Sequence, residues 1–531
     1  MQRLPAILGC ATLFLAAMAG RTPPGFHCRV TVRLVDAETR RSLPGLVRIV
    51  DGAGTVMHPG ELMSRGTGLP NEQAIHDWSV VPRGEAEITL PATKVSFSAI
   101  AGLETERVEA EVDLTGKRTA EVTLALRRFS HLGAQGWRCG NTHLHLMKLT
   151  RAEADRYLRE IPPADGLDLL FVSYLERADV DHEYVTNRYT REDLERLSTD
   201  AARFGWGEEH RHNFGHGGEG YGHVMLLDLK ELVLPVSIGP GIMKRDTDGI
   251  PLQRGIMQAR KDGATAIWCH NEWGMENLPN WVTGRLDAQN IFDGSIRSSY
   301  KDSFYKYLNA GLRVPFSTGT DWFLYDFSRV YVPVDGDVTA RNWLAGLRAG
   351  KSFITNGPLL EFTAGAARIG ERIDLDRAGL VPVSAKAMGR IDFRRLELVH
   401  NGVVIRTEPS RKVDGHYAAE LKTTLPIDEP GWLAVRTPPP PVSTDPELSE
   451  PVERNESGQY LFSHSSPIYV SVAGKEVFDR AVVEMLKDRI ERNLETIARE
   501  GQFADEEERE RVLAVHREAI DILHQRLGER R

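Results

Sequence analysis

The sequence predicts a multidomain chain of mixed class, α/β plus β: an α/β barrel or mostly parallel sheet between two β-rich units, followed by a helical pair. Three observations predict it. At 531 residues the chain is too long for one ordinary core. Short alternating runs give way near residue 130 to apolar strand-like runs interleaved with charged helical stretches, and alternation returns near residue 359. The last fifty or so residues carry helical periodicity with mixed charge.

Residues 1–19 read as a secretory signal. Arg3 precedes an apolar run over 4–17, and Ala17-Met18-Ala19 before Gly20 is a small-residue cleavage pattern. The run is too short for a membrane span, so the expectation is an exported protein, periplasmic or extracellular, with no transmembrane segment after cleavage. Cys10 in "ILGC" looks like a lipoprotein box, but apolar residues continue past it. Cleavage leaves Cys28, Cys139 and Cys269, an odd number at irregular spacing that allows at most one bridge.

Residues 26–129 contain "CRVTVRLVDAETRRSLPGLVRIVDGAG" and "TAEVTLAL", strand-turn-strand patterns that predict a small β-sandwich resembling transthyretin-like or carboxypeptidase-regulatory modules. Residues 130–358 alternate strand candidates ("LDLLFVSYL", "YGHVMLLDL", "GATAIWCH", "RVPFSTGTD") with helical ones such as "RAEADRYLREI", which predicts an α/β unit whose sites gather at strand ends. Residues 359–474 predict a second β-sandwich, with a hairpin turn at Asn401-Gly402 and a surface loop at the proline tract 438–441. Residues 475–531 predict two amphipathic helices broken near Gly501.

The net charge of −9, from 66 basic and 75 acidic residues without long like-charge blocks, excludes nucleic acid as a partner. The expected partner is a small-molecule or cell-envelope substrate. Strand ends of the α/β unit carry the chemistry. "GNTHLHL" places His143 and His145 at i and i+2, on one face if extended. His223, His270 and Asp321 stand at further strand candidates, and Glu208, Glu209, His210, His212 and His216 fill a glycine-rich segment. Imidazole and carboxylate together suit zinc, manganese or iron, and such a cation lowers the pKa of bound water to about 7, which predicts a hydrolase. Cys269, adjacent to His270, is read as alternating to the opposite face and as core.

"GNTHLHL", "GWGEEH", "GYGHVMLL", "WCHNEWG" and "STGTDWF", in that order, resemble the motifs of the polymerase-and-histidinol-phosphatase (PHP) superfamily of metallohydrolases. "SRVYVPVDGDVTARNWLAGLRAGKSFITNGPLLEF", "GWLAVR" and "FSHSSPIYVSVAG" resemble its exported carbaryl or carbamate hydrolase-like branch. The resemblance implies a distorted (β/α)7 barrel holding divalent metal, with His143, His145, Glu209, His223, His270 and Asp321 as ligands. Asp321 and His223 are the catalytic candidates, Asp321 or a loop histidine managing the proton. The implied reaction is attack by metal-activated water on a phosphoester, ester, amide or carbamate bond.

The chain departs from the family pattern at three places. Asn141 stands where an Asp is usual, Ser173-Tyr174-Leu175-Glu176 replaces Thr-Asp-His-Asn, and Trp322-Phe323 follows Asp321 where a histidine is usual. One or two ions, zinc foremost, are therefore expected rather than three. Glu176, His210, His212 and His216 are the substitute-ligand candidates, and Arg177 the candidate for stabilising developing negative charge. The alternative is a non-catalytic cell-envelope protein that binds glycan or protein and keeps a degenerate, structural metal site.

Overall fold

A computed structural model describes residues 27–66, 74–294, 298–442 and 452–529. The signal segment at 1–19 and the polar stretch after the proline tract lie outside these residues. The architecture is mixed α/β and mostly strand.

In the N-terminal unit, strand His27–Asp36 lies between Glu85–Pro91 (antiparallel) and Thr119–Leu126 (parallel). A second sheet is built around Gly45–Asp51 and Lys94–Ile100. Alternation along His27–Asp36 sends Val30, Val32 and Leu34 into one core with Val47, Ile49 and Phe97 of the other sheet. Arg65, fully buried, donates Nε to Asp165 at 2.9 Å and so ties this unit to the end of the next one's first helix.

That helix, Arg151–Ala164, starts at a capping box in which Thr150 and Glu153 satisfy each other's backbone N–H groups. It crosses between parallel strands Trp137–His145 and Leu169–Tyr174. Arg203–His212 extends the sheet in parallel. Gly222–Leu227 then runs antiparallel to both its neighbours, Arg203–His212 and Thr265–Cys269. The expected mostly parallel order is interrupted here because the glycine-rich connection over 213–221 is too short for a crossover helix. Ala288–Asn290 and Phe316–Ser317 restore the parallel sense. The sheet curls into a half-barrel, and Asp321–Trp322 pairs back with Leu144 and His145 of the first strand.

The same sheet runs on through Arg329–Pro333 and Phe353–Thr355 into the C-terminal β-rich unit. There the Asn401-Gly402 turn is as expected, with positive φ at both residues (50° and 91°) joining Arg395–His400 to Val403–Pro409. Pro438, Pro439 and Pro440 are buried, contrary to the expected surface loop. Proline brings no N–H, so such a stretch enters an interior with fewer donors to satisfy.

The two terminal helices are Arg480–Glu500 and Glu506–Glu529. Val483, Leu486, Ile490 and Ile497 form the buried stripe of the first, at helical spacing. Asn493 and His516, one from each helix, both donate to the Met275 carbonyl, in the loop that follows His270. No helix among the described residues is long and apolar enough to cross a membrane.

Candidate metal centre

His143 and His145 project from one face of the first strand, as their i, i+2 spacing requires. Period two within Arg203–His212 turns Glu209 and Arg211 to that rim and Glu208, His210 and His212 to the other face. The antiparallel strand explains why His223 stands second in its own strand: it reaches the rim where parallel neighbours present their last residues, opposite Arg211 and Cys269. His270 follows the end of Thr265–Cys269. Asp321, at φ 59°, turns its carboxylate inward from the segment that pairs with Leu144.

All six expected ligands meet. One group comprises His143, His145, Glu209 and Asp321, and a second comprises Glu209, His223 and His270; within each, one ligand atom per residue lies within 4.8 Å of the others. Glu209 belongs to both. Its Oε2 lies 3.2 Å from His145 Nε2, while Oε1 lies 2.9 Å from His223 Nδ1 and 3.4 Å from His270 Nε2.

The donor set fits a cation. His143 Nδ1 faces Asp293 Oδ2 at 2.7 Å and His145 Nδ1 faces the Ser173 carbonyl at 3.0 Å. These partners accept only, so both rings carry N–H on Nδ1 and aim their Nε2 atoms inward, where they stand 2.9 Å apart. Nitrogen lone pairs that close repel unless a proton or a metal ion lies between them and the carboxylates. Glu209 Oε1, His223 Nδ1 and Asp321 Oδ1 are buried without a hydrogen-bond partner among the described residues. The Glu209–His223 approach is short but leaves both atoms without a well-directed partner, so each has a lone pair free for a third body.

Electrostatics agree. Burial raises the Glu209 carboxyl, but Arg211 foremost, with His145 and His223, outweighs it and holds it well below the usual carboxylate range. Burial lowers the His270 imidazole, yet Glu209, Asp321 and Asp293 carry it well above its ordinary value. Burial and then Arg211 push His223 down, and burial lifts Asp321. His270 and also His143, where Asp293 and Asp321 outweigh burial, are thus shifted toward holding protons. A metal ion would displace them.

The remaining candidates are placed elsewhere. His210 pairs with Glu208 at 3.2 Å behind the strand, and His212 donates to Asp248 at 2.8 Å while stacking on Tyr221. His216 is exposed beside Glu500. Glu176 offers its carbonyl to Ser237 Oγ. Arg177 is exposed and lies near Tyr184, whose ring stacks on Trp322 beside His145. Cys269 corrects the expected orientation: it is buried, but one group joins its Sγ with the ring nitrogens of His143 and His270. Sequence reasoning missed Asp293, and also Glu219, whose Oε2 lies 3.3 Å from His223 Nε2.

Comparisons with family models, with curated proteins and with solved structures return no match.

Proposed function

We propose that the chain is an exported metal-dependent hydrolase of the PHP type, its half-barrel a variant of the distorted (β/α)7 barrel, set between two β-sandwich units. The observation that carries this reading is the Glu209 carboxylate, which divides its two oxygens between the His143–His145–Asp321 group and the His223–His270 group. A carboxylate so placed suits one or two divalent ions, zinc foremost given the nitrogen and oxygen ligands. Such an ion supplies activation of water and polarisation of the attacked phosphoester, ester, amide or carbamate.

The protein's own part is to hold and expose that centre. Arg211, 3.2 Å from Glu209, keeps the carboxylate ionised. Asp321 and His270 are the ligands that reach the surface, with side chains 10% and 12% exposed, so substrate enters on their side. Asp321, lifted by burial, is the group suited to exchange a proton there, with His223 behind it.

The full chain should copurify with or take up zinc and turn over p-nitrophenyl phosphate or a p-nitrophenyl ester in a chelator-sensitive way. A second reading, a glycan- or protein-binding cell-envelope protein with a structural ion, draws on the complete burial of His143 and His145. Bound zinc with no chelator-sensitive turnover would select it.

A further inference from the structure

We infer that Asp293 is a positioning residue that sets the ring orientation of two ligands, His143 and His270, through different atoms. The inference rests on the metal-centre reading above and adds to it a residue outside the expected ligand set.

Asp293 lies three residues beyond the short strand Ala288–Asn290 and is 2% exposed. Its carboxylate Oδ2 accepts from His143 Nδ1 at 2.7 Å and from Asn290 Nδ2 at 2.9 Å. Its backbone carbonyl accepts from His270 Nδ1 at 3.3 Å. Both rings are thereby held with Nδ1 outward and Nε2 toward Glu209 and Asp321, their centroids 5.3 Å apart. A carboxylate behind a ligating imidazole fixes its tautomer and raises its basicity. The surroundings leave the turn little room to shift. A Cβ added at Gly294 would meet Asp321 Oδ2 at 3.1 Å, and one at Gly319 would meet His143 Cβ at 2.5 Å and Asp293 Oδ1 at 3.1 Å.

The test is zinc affinity of the full chain, measured by competition with a chromogenic chelator, with folding checked by circular dichroism. Asp293→Ala should weaken zinc binding by about 10–100-fold. Asp293→Asn, which is isosteric and keeps an acceptor oxygen, should lose only a few-fold and carries the test if the alanine variant fails to fold. Nitrogen-15 NMR of the histidines should show protonated Nδ1 on His143 in the wild type and a mixed tautomer in Asp293→Ala. Wild-type affinity with unchanged tautomers in the variants overturns the role of Asp293 alone. A wild-type chain that takes up no zinc overturns both it and the metal reading.

Discussion

The Asn141 side chain donates from Nδ2 to Thr320 Oγ1 at 2.8 Å, joining the first strand of the half-barrel to the segment that closes it. Its Oδ1 accepts the backbone N–H of His143 at 2.9 Å. Asn141 is thus a buried brace behind the first two histidines. Asn141→Ala should cost about 1–3 kcal/mol for each group left unsatisfied, read by urea denaturation. Asn141→Asp keeps the acceptor for His143 but puts a carboxyl without a cationic partner at a fully buried position, so it should also lower the midpoint, more at neutral than at acid pH.

Zinc should stabilise the fold by mass action, about 2.7 kcal/mol at a hundred times its Kd, and EDTA should reverse the rise in Tm. His145→Ala, which removes a ligand of the first group, should reduce the zinc-dependent shift. His216→Ala, exposed beside Glu500, should retain it. Equal shifts in the two variants would remove the first group as the binding site.

The Arg65–Asp165 pair is fully buried on both sides. Arg65→Met strands a carboxylate in the interior and should destabilise by about 3–5 kcal/mol, whereas Arg65→Met with Asp165→Leu should recover much of the loss. Denaturation of the single and double variants measures the difference.

His464 donates Nδ1–H to the Ser465 carbonyl at 2.8 Å and accepts the Tyr305 hydroxyl at 2.7 Å, which requires the neutral ring. Burial, then Arg436, lowers its pKa to about 3. Burial brings His516 to about 4. Both pKa values are depressed on folding, so the unfolded chain binds the protons first as acid is added. The associated stability is complete above pH ~6.5, the free-histidine value, and is lost as pH falls toward those folded values. His464→Gln should flatten the stability-pH slope in that window by up to ~1.4 kcal/mol per pH unit. An unchanged slope would mean that His464 already charges in the folded state.

Much of the centre was legible because strand geometry is local. His143 and His145 needed only period two, and His270 and Asp321 only their places after apolar runs. Composition alone marks the segment around Glu209 as a glycine-rich loop and gives His210 and His212 equal standing; as a strand, its alternation assigns them to the other face. Asp293 left no such signal, since the strand before it spans three residues and the two histidines it holds lie 150 and 23 positions away. The antiparallel strand was hidden for a related reason: direction depends on how the short connection closes, which hydrophobic pattern does not encode. The buried prolines show composition misleading by itself, as a tract typical of surface linkers fills an interior seam.

Because Asp321 pairs with Leu144, the cage for the proposed ion is completed only when the first and last strands of the half-barrel dock. A nascent chain carries His143 and His145 long before Asp321 is synthesised, and an ion arriving then meets two imidazoles and nothing else. Contacts of such sequence separation form late in folding. Capture of the proposed ion would therefore be a finishing step, with the ion bridging the seam between those two strands.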